Sequence, residues 1–341
     1  MSKELDSSRI LEIGLGFWQS RTLLSAVELG IFTLLGNISM RGEDIGNEIG
    51  LNPRGVWDFL DGLVALGFLE RDGDGVNGRY SNTKLMSVYL DKNSPHYIGG
   101  ILEMASTRLY RYWGDLTEAL RTGKPQNESR HNEEPIFDVL YRDPIKLEGF
   151  MRAMAGLSAR NFESFAERFD FSMYKTLCDI GGATGQLSIL VAKANPHIRC
   201  ISFDLPVVEP IAKKYIQDSG VADRVKTASG DFFKDPLPNA DIITMGMILH
   251  DWNLEKKMQL IRAAYESLPE GGAFVAIENI IDNARRKNVF GLMMSLNMLI
   301  EFGDAFDFTG ADFSRWCVEA GFKETQVLPL GGPASAAIAY K

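Results

Sequence analysis

The sequence predicts an α/β protein in two parts: a mostly helical N-terminal domain with a small β-wing, then a doubly wound parallel sheet closed by an antiparallel β-hairpin. Three observations carry this. From residue 175 onward, strand-like and helix-like runs alternate, as right-handed βαβ crossovers require. Before that point the chain reads as short helices followed by two short runs around a Gly/Asp/Asn turn. At the end, KETQVLPL and ASAAIAY are joined by a GGP turn too short for a crossover, so the last strand must run antiparallel. The domain boundary falls at residues 110/111, giving a dimerisation-type domain over 1–110 and a second domain over 111–341 whose sheet core is 175–341.

In the first domain, LLSAVELGIFTLL (23–35) has helical apolar spacing. RGEDIGNEIGLNPRGVWDFLDGLVALGFLERDG (41–73) reads as helix, turn, helix, with Asn52-Pro53 starting the second helix. FLERDGDGVNGRYSNT (68–83) supplies the wing. A winged helix raises DNA binding as a function. Residues 1–100 carry nine Lys/Arg against thirteen Asp/Glu, and the helix that would enter a groove bears Asp58 and Asp61 beside Arg54. Those acids would repel phosphates, so packing against a second copy is the better reading and no nucleic acid is expected.

The rest of the composition narrows the class. The chain has 341 residues, 45% of them hydrophobic, with a formal net charge of −9. No window approaches the ~18 apolar residues of a membrane span. The N-terminus MSKELDSSRI has no apolar core of signal-peptide length. Cys178, Cys200 and Cys317 form no close pair, so neither a disulfide framework nor a zinc site is expected. A cytoplasmic, metal-free protein is the expectation.

Residues 101–170 read as mainly helical. RTGKPQNESRHNEEP (121–135) is expected as an exposed loop and GFMRAMAGLSARNFESFAERFD (149–170) as a long amphipathic helix. Strand YKTLCDIGG then turns into helix QLSILVAKANP through CDIGGATGQLS (178–188). A dinucleotide fingerprint needs GxGxxG, but counting from Gly181 finds Ala183 and Gln186 at the second and third glycine positions. No GK[ST] follows, which excludes a Walker A loop. What stands there is Asp179-x-Gly181-Gly182-x-x-Gly185.

Two more strand ends carry acids. Asp204 closes HIRCISFDLP, 19 residues after Gly185, where a carboxylate can accept both ribose hydroxyls. Asp231 follows RVKTASG and precedes Phe232, a pairing that suits an adenine: a hydrogen bond to its amine and a ring against its face. No basic cluster is present to neutralise phosphates. A phosphate-free nucleoside therefore fits better than NAD or ATP, and S-adenosylmethionine (SAM) is such a ligand.

After strand ADIITMGMIL comes ILHDW, which puts His250, one of four histidines, on the ligand-binding edge. Helix EKKMQLIRAAYESL (255–268) and strand GAFVAIENII (272–281) follow, and Glu278 ends that strand, placed to orient the imidazole. Asp307 is a second candidate for that task. A neutral His can take the proton of a phenol as its oxygen attacks a methyl group, with a carboxylate on its far nitrogen. NVFGLMMSLNMLIEFG (288–303) groups Met293, Met294 and Met298, with Asn297 among them. Together with Trp113 these are candidate walls of an adaptable pocket for a flat substrate.

DIGGATG, FDLP, GDFF, ILHDW and VAIENI, in this order behind a winged-helix-like segment, resemble the small-molecule O-methyltransferases: plant caffeate and flavonoid enzymes, acetylserotonin methyltransferase and bacterial enzymes of antibiotic and pigment biosynthesis. The resemblance covers essentially the whole chain. It implies a Rossmann-like class I methyltransferase domain behind an obligate homodimer interface, with SAM as cofactor and S-adenosylhomocysteine (SAH) as product. It implies that Asp179, Gly181, Gly185, Asp204, Leu205, Asp231 and Phe232 contact SAM, with Met154 and Ser158 at its methionine end. It further implies His250 as base, flanked by Glu278 and Asp307. Three positions depart from the family pattern. Ala183 replaces a loop glycine, Gly246 stands where many members have a SAM-contacting Lys, and Asp307 stands where Glu is usual. The expected activity is O-methylation of an aromatic or heteroaromatic hydroxyl. A C-methyltransferase is the alternative, and a SAM-sensing winged-helix regulator a more distant one.

Overall fold

The computed structural model describes residues 6–131, 134 and 136–341, and the chain divides into two compact units between Arg111 and Tyr112. Residues 1–5, and 132, 133 and 135 of the expected 121–135 loop, lie outside the described residues.

In the N-terminal unit, α1 (Ser8–Gly14), α2 (Gly16–Glu28) and α3 (Ile31–Leu35) come first. The helix expected over 23–35 is broken at Gly30, whose φ of 71° ends α2 and caps α3. β1 (Met40–Arg41), α4 (Gly42–Glu48) and α5 (Pro53–Ala65) follow. The Asn52 side chain accepts from the Arg54 N–H, and Pro53 occupies the first helical position. β2 (Leu69–Asp72) and β3 (Arg79–Asn82) pair antiparallel to make the wing, and β1 adds to the far side of β3. α6 (Lys84–Tyr89) and α7 (Gly99–Met104) complete the unit, and α7 continues through a π-turn at Ala105–Leu109 into α8 (Tyr110–Trp113). Leu35, Ile45, Leu60, Leu63 and Tyr80 form its buried centre.

The second unit begins with α9 (Leu116–Thr122), α10 (Ile136–Arg142) and α11 (Pro144–Arg168). Asp143 starts α11 by accepting from the N–H groups of Ile145 and Lys146, both at 3.1 Å. Strands and helices then alternate: β4 (Thr176–Ile180), α12 (Gln186–Ala194), β5 (Arg199–Asp204), α13 (Glu209–Asp218), β6 (Val225–Ser229), β7 (Ile242–Gly246), α14 (Leu254–Ser267) and β8 (Ala273–Glu278). α15 (Val289–Phe302), α16 (Gly310–Ala320), β9 (Glu324–Gly331) and β10 (Ala334–Tyr340) end the chain. The sheet order is β6-β5-β4-β7-β8-β10-β9. β4 to β8 are parallel, and β10 is antiparallel to both β8 and β9.

The sheet is buried on both faces, so its central strands are apolar throughout. Leu177, Ile242, Val275 and Ile277 pack with residues of α11 and α12 on one side. Cys178, Ile180, Ile243, Met245 and Phe274 pack with residues of α14 and α16 on the other. The chain turns one way after β4 and the opposite way after β7, so the two neighbouring strands form a topological switch point. Ligands of open α/β sheets bind outside the carboxyl ends of such strands.

Part of the expected 121–135 loop is not exposed. Gln126 and Glu128 are buried. The segment docks on the end of α15, where the Gln126 N–H donates to the Ile300 carbonyl at 2.7 Å and the Asn127 side chain donates to the Glu301 carbonyl at 2.6 Å. The two backbone carbonyls left free where a helix ends explain why polar side chains are held there. Among the described residues no helix is long and apolar enough to cross a membrane.

Candidate active site

The switch point brings three chain segments side by side: the loop after β4, the turn after β7 and the end of β8. In the loop, Gly181 has φ 70° and Gly185 φ 77°, conformations that favour glycine. A Cβ on Gly181 would stand 2.4 Å from the Ile248 side chain, so the loop and the β7 turn touch without room for a methyl group. Ala183 takes a left-handed φ of 49°, the glycine-favouring conformation, at a position where the resemblance expects glycine.

That strained residue has a use. The Ala183 N–H donates to Asp204 Oδ2 at 2.8 Å, and the Leu205 N–H donates to Oδ1 at 2.7 Å. Each carboxylate oxygen thus takes one backbone donor and keeps a second lone pair. Burial raises the Asp204 carboxyl above its ordinary range, and the two backbone donors oppose that rise. Asp231 is fixed in a similar way, by Lys234 Nζ at 2.7 Å and the Phe233 N–H at 3.0 Å, which together hold its carboxyl low. The Phe232 ring stands edge-on to Phe233 with centroids 4.9 Å apart. Asp179 lies deeper: it is buried and accepts from Thr244 Oγ1 of β7 at 2.8 Å, and burial pushes its carboxyl up to about 7. Lys234 is already bound to Asp231, and this donor set suits a nucleoside without phosphates.

On α11, Ser158 is buried and Met154 half-buried. One helical turn beyond Ser158, Phe162 reaches Gly246: a Cβ there would come within 2.9 Å of its ring. A side chain at 246 would therefore have to displace the Phe162 ring, which occupies that space.

The turn after β7 holds His250, which is 5% exposed. Met247, with φ 56°, bends the chain out of β7. Residues 249–251 then form a single 3-10 turn. Glu278 caps that turn: its Oε1 accepts from the N–H groups of Ile248, Leu249 and His250 at 3.2, 3.0 and 3.4 Å. Glu278 thus differs from the expected imidazole-orienting acid, because it positions His250 through the backbone. The ring nitrogens face two other carboxylates. Nε2 is 3.3 Å from Asp251 Oδ1, and Nδ1 is 3.6 Å from Asp307 Oδ1, too long for a hydrogen bond. His250, Glu278 and Asp307 nevertheless bring one nitrogen and two carboxylate oxygens within 4.8 Å of one another. Burial disfavours the imidazolium, but Glu278, Asp251 and Asp307 outweigh it and raise His250 to about 10. Glu278 is itself pushed up to about 7, burial prevailing over the attraction of His250.

The proposed pocket residues separate in the structure. Trp113 Nε1 donates to Asn297 Oδ1 at 2.9 Å, tying α8 to α15. Met294 and Asn297 are half-buried and Met298 is buried, whereas Met293 is exposed. Sequence reasoning missed Asp251, Thr244, Phe162 and Lys257. The last had a signal: residues 257, 260, 261 and 264 share one helical face, and Leu260, Ile261 and Ala264 are wholly buried beside it.

Comparison with known proteins finds one family over both units. The family described as "O-methyltransferase domain" matches residues 113–323, and "O-methyltransferase dimerisation domain" matches residues 11–92. The chain is 39% identical to the "Tetracenomycin polyketide synthesis 8-O-methyl transferase TcmO" of Streptomyces glaucescens, over 97% of this chain and 96% of that one. It is 33% identical to the "N,N-dimethyltransferase OxyT" of Streptomyces rimosus, over 93% and 91%. Among solved structures, human N-acetylserotonin methyltransferase in complex with SAM superposes with a TM-score of 0.90 at 30% identity, covering 100% of this chain and 99% of that one.

Proposed function

The chain belongs to the O-methyltransferase family and is a SAM-dependent methyltransferase of the secondary-metabolite type, and from that premise we propose that it methylates a hydroxyl of a small aromatic or heteroaromatic metabolite with His250 as general base. The observation that carries the base assignment is a buried imidazole among three carboxylates, with Nδ1, Glu278 Oε2 and both Asp307 oxygens making no hydrogen bond among the described residues.

When bound, SAM supplies an electrophilic methyl group on a positively charged sulfur. The protein's share is binding, orientation and proton removal. Asp204, with Leu205 beside it, is placed to accept the ribose hydroxyls, and Asp231 and Phe232 to take the adenine. Gly181 and Gly185 let the loop backbone approach the amino-acid end, to which we also assign Asp179 and, from α11, Met154 and Ser158. Gly246 contributes only open backbone, since Phe162 fills its side-chain space. To the acceptor side we assign Trp113, Asn297, which it holds, and the neighbouring Met293, Met294 and Met298 of α15.

The acceptor's proton passes to His250 Nε2 while Nδ1 keeps its own N–H toward Asp307. Energetics favour the raised imidazole. Moving a proton from a phenol of pKa about 10 to an ordinary imidazole near 6.5 is uphill by about 5 kcal/mol. Against an imidazole at about 10 that cost nearly vanishes. The trade-off is that the free protein holds His250 protonated at neutral pH, so kcat/KM rises with pH well beyond 7.

The exposed Ile10, Leu11, Ile13, Phe17 and Trp18 of α1 and α2 support a homodimer formed through the N-terminal unit.

The test is a screen of phenols, hydroxyquinones and hydroxypyrroles with SAM, with NMR of the product to separate O-methylation from C-methylation or from N-methylation of the OxyT kind. On the acceptor found, His250→Ala is expected to lower kcat by about 10²–10⁴-fold while SAH binds with unchanged affinity. Turnover near wild type would remove the base assignment.

A further inference from the structure

At the β7–β8 edge, His250 Nδ1, Glu278 Oε2 and both oxygens of Asp307 are buried without a hydrogen-bond partner among the described residues. His250 is 5% exposed, Glu278 1% and Asp307 2%. A buried polar atom left unpartnered costs free energy, and a carboxylate costs more than a neutral group. The buried cation of this edge does not relieve them. Lys257 on α14 donates to the Trp252 carbonyl and lies 3.7 Å from the centre of the Phe306 ring.

The unpartnered groups converge. One imidazole nitrogen and one oxygen from each carboxylate lie within 4.8 Å of one another. Nδ1 is the nitrogen that faces Asp307, at 3.6 Å, whereas Nε2 faces Asp251. Three atoms so spaced have a common centre within about 2.8 Å of each, and metal bonds to imidazole and carboxylate are about 2.0–2.2 Å long. An inward movement of less than about 1 Å would therefore close a metal shell. The side chains are anchored elsewhere and keep these atoms free for it. Glu278 is held through Oε1, which caps the 249–251 turn, and Asp307 through its backbone N–H, which donates to Ser295 Oγ at 3.2 Å.

The donor set selects the ion. A nitrogen with two carboxylates favours a divalent transition ion such as Zn²⁺ over Mg²⁺ or Ca²⁺, which take oxygen donors. Two carboxylates balance its double charge, and three protein ligands leave a fourth position for water.

We propose that His250 Nδ1, Glu278 Oε2 and an Asp307 carboxylate oxygen form a binding site for one Zn²⁺-type ion, and that its binding switches the imidazole off as a base. As the bond from Nδ1 to the metal forms, the Nδ1 proton leaves to solvent and the ring keeps its other proton on Nε2. Both nitrogen lone pairs are then committed, so Nε2 cannot take the proton of an incoming hydroxyl. The proposed SAM seat on the β4–β6 side supplies no ligand and keeps its shape. Binding does not depend on what His250 does in catalysis, whereas the loss of turnover rests on its being the base.

The probe is Co²⁺, a stand-in for Zn²⁺ that absorbs visible light in such a shell. Titration of the full, untagged chain should show one saturable absorbing site per chain, emptied by added Zn²⁺. Asp307→Asn should weaken that site by at least about tenfold, since even the outer partners of metal ligands are worth about 10–100-fold. On a methylated acceptor, saturating Zn²⁺ should lower kcat toward the loss expected for His250→Ala, about 10²–10⁴-fold. A chelator should restore it, and SAH should bind with unchanged affinity by calorimetry. A wild-type chain without saturable Co²⁺ absorption, or absorption that survives in Asp307→Asn, overturns the site. If Asp307→Asn does not fold, His250→Gln decides, and absorption retained there overturns the site equally. A site that is lost in these variants but leaves turnover intact when filled with Zn²⁺ overturns the switch and the base assignment with it, while the metal site stands.

Discussion

The two halves of the sheet edge treat their carboxylates differently. On the β4–β6 side every acid is hydrogen-bonded: Asp204 to two backbone N–H groups, Asp231 to a backbone N–H and Lys234, Asp179 to Thr244. On the β7–β8 side His250 Nδ1, Glu278 Oε2 and both Asp307 oxygens lack a hydrogen bond within the described protein. Satisfied groups have one low-energy arrangement and so make a rigid seat. Unsatisfied buried groups are costly, by about 1–3 kcal/mol each, and a protein keeps them where a proton or a ligand atom will use them. For the carboxylates, then, the first half is fixed as a seat, as the proposed cofactor site requires, and the second is left open to a proton, as the proposed base requires.

The largest effect that would test this division comes from Asp204→Ala. It removes the acceptor that holds the Ala183 and Leu205 N–H groups and, with them, the proposed seat of the ribose. A loss of about 2–3 kcal/mol is expected, read as a 30–150-fold weaker SAH affinity by calorimetry. The pH at which kcat/KM rises should stay where it is in the wild type. A shift of that limb in Asp204→Ala would mean that the two halves are not separable.

Glu278 gives the next largest effect, and it comes in two parts. Glu278→Ala leaves three buried N–H groups of the 3-10 turn without their acceptor. A cost of about 2–3 kcal/mol should lower Tm by roughly 4–10 °C for a unit of this size. Glu278→Gln keeps an oxygen for the turn, so its Tm should lie close to wild type. It removes one negative charge facing His250, which lowers the imidazole's proton affinity and moves the acid limb of kcat/KM to lower pH. The expected shift is about one unit, and a limb that stays at its wild-type pH would show that Glu278 acts on His250 only through the backbone.

The same contrast explains what was legible in the sequence. The β4–β6 side follows from chain order: small residues at a strand end, then an acid at the end of each following strand, are local patterns that a parallel sheet brings together by necessity. His250 was visible because ILHDW stands out in a chain with four histidines. The role of Glu278 was not, because a glutamate at a strand end does not reveal that three N–H groups of another segment will point at it. Lys257 and Phe162 meet neighbours far away in sequence, Trp252 apart, and only the buried helical stripe around residue 257 hinted at one of them. The break at Gly30 was hidden by apolar spacing that continues across it.

The smallest effect separates the halves by their response to pH in the free enzyme. Asp179 is raised to about 7 by burial, above its unfolded value near 4. An acid so raised favours the folded state fully only below its unfolded pKa, and it withdraws that favour as pH rises from about 4 to 7. His250, raised to about 10 from 6.5, gives a stabilisation that is complete below 6.5 and lost as pH climbs through 10. Asp179→Asn keeps an oxygen for the Thr244 hydroxyl, so its Tm should fall less than wild type between pH 4 and 7, by a few degrees, and parallel it above. His250→Gln should run parallel to wild type below pH 6 at a lower Tm, and lose less between 7 and 10, the window in which the wild-type kcat/KM is expected to climb. Tm curves for both variants that run parallel to wild type throughout would mean that neither buried group carries its perturbation into the folding equilibrium. The opposite slopes of stability and activity above pH 7 would then need another source than His250.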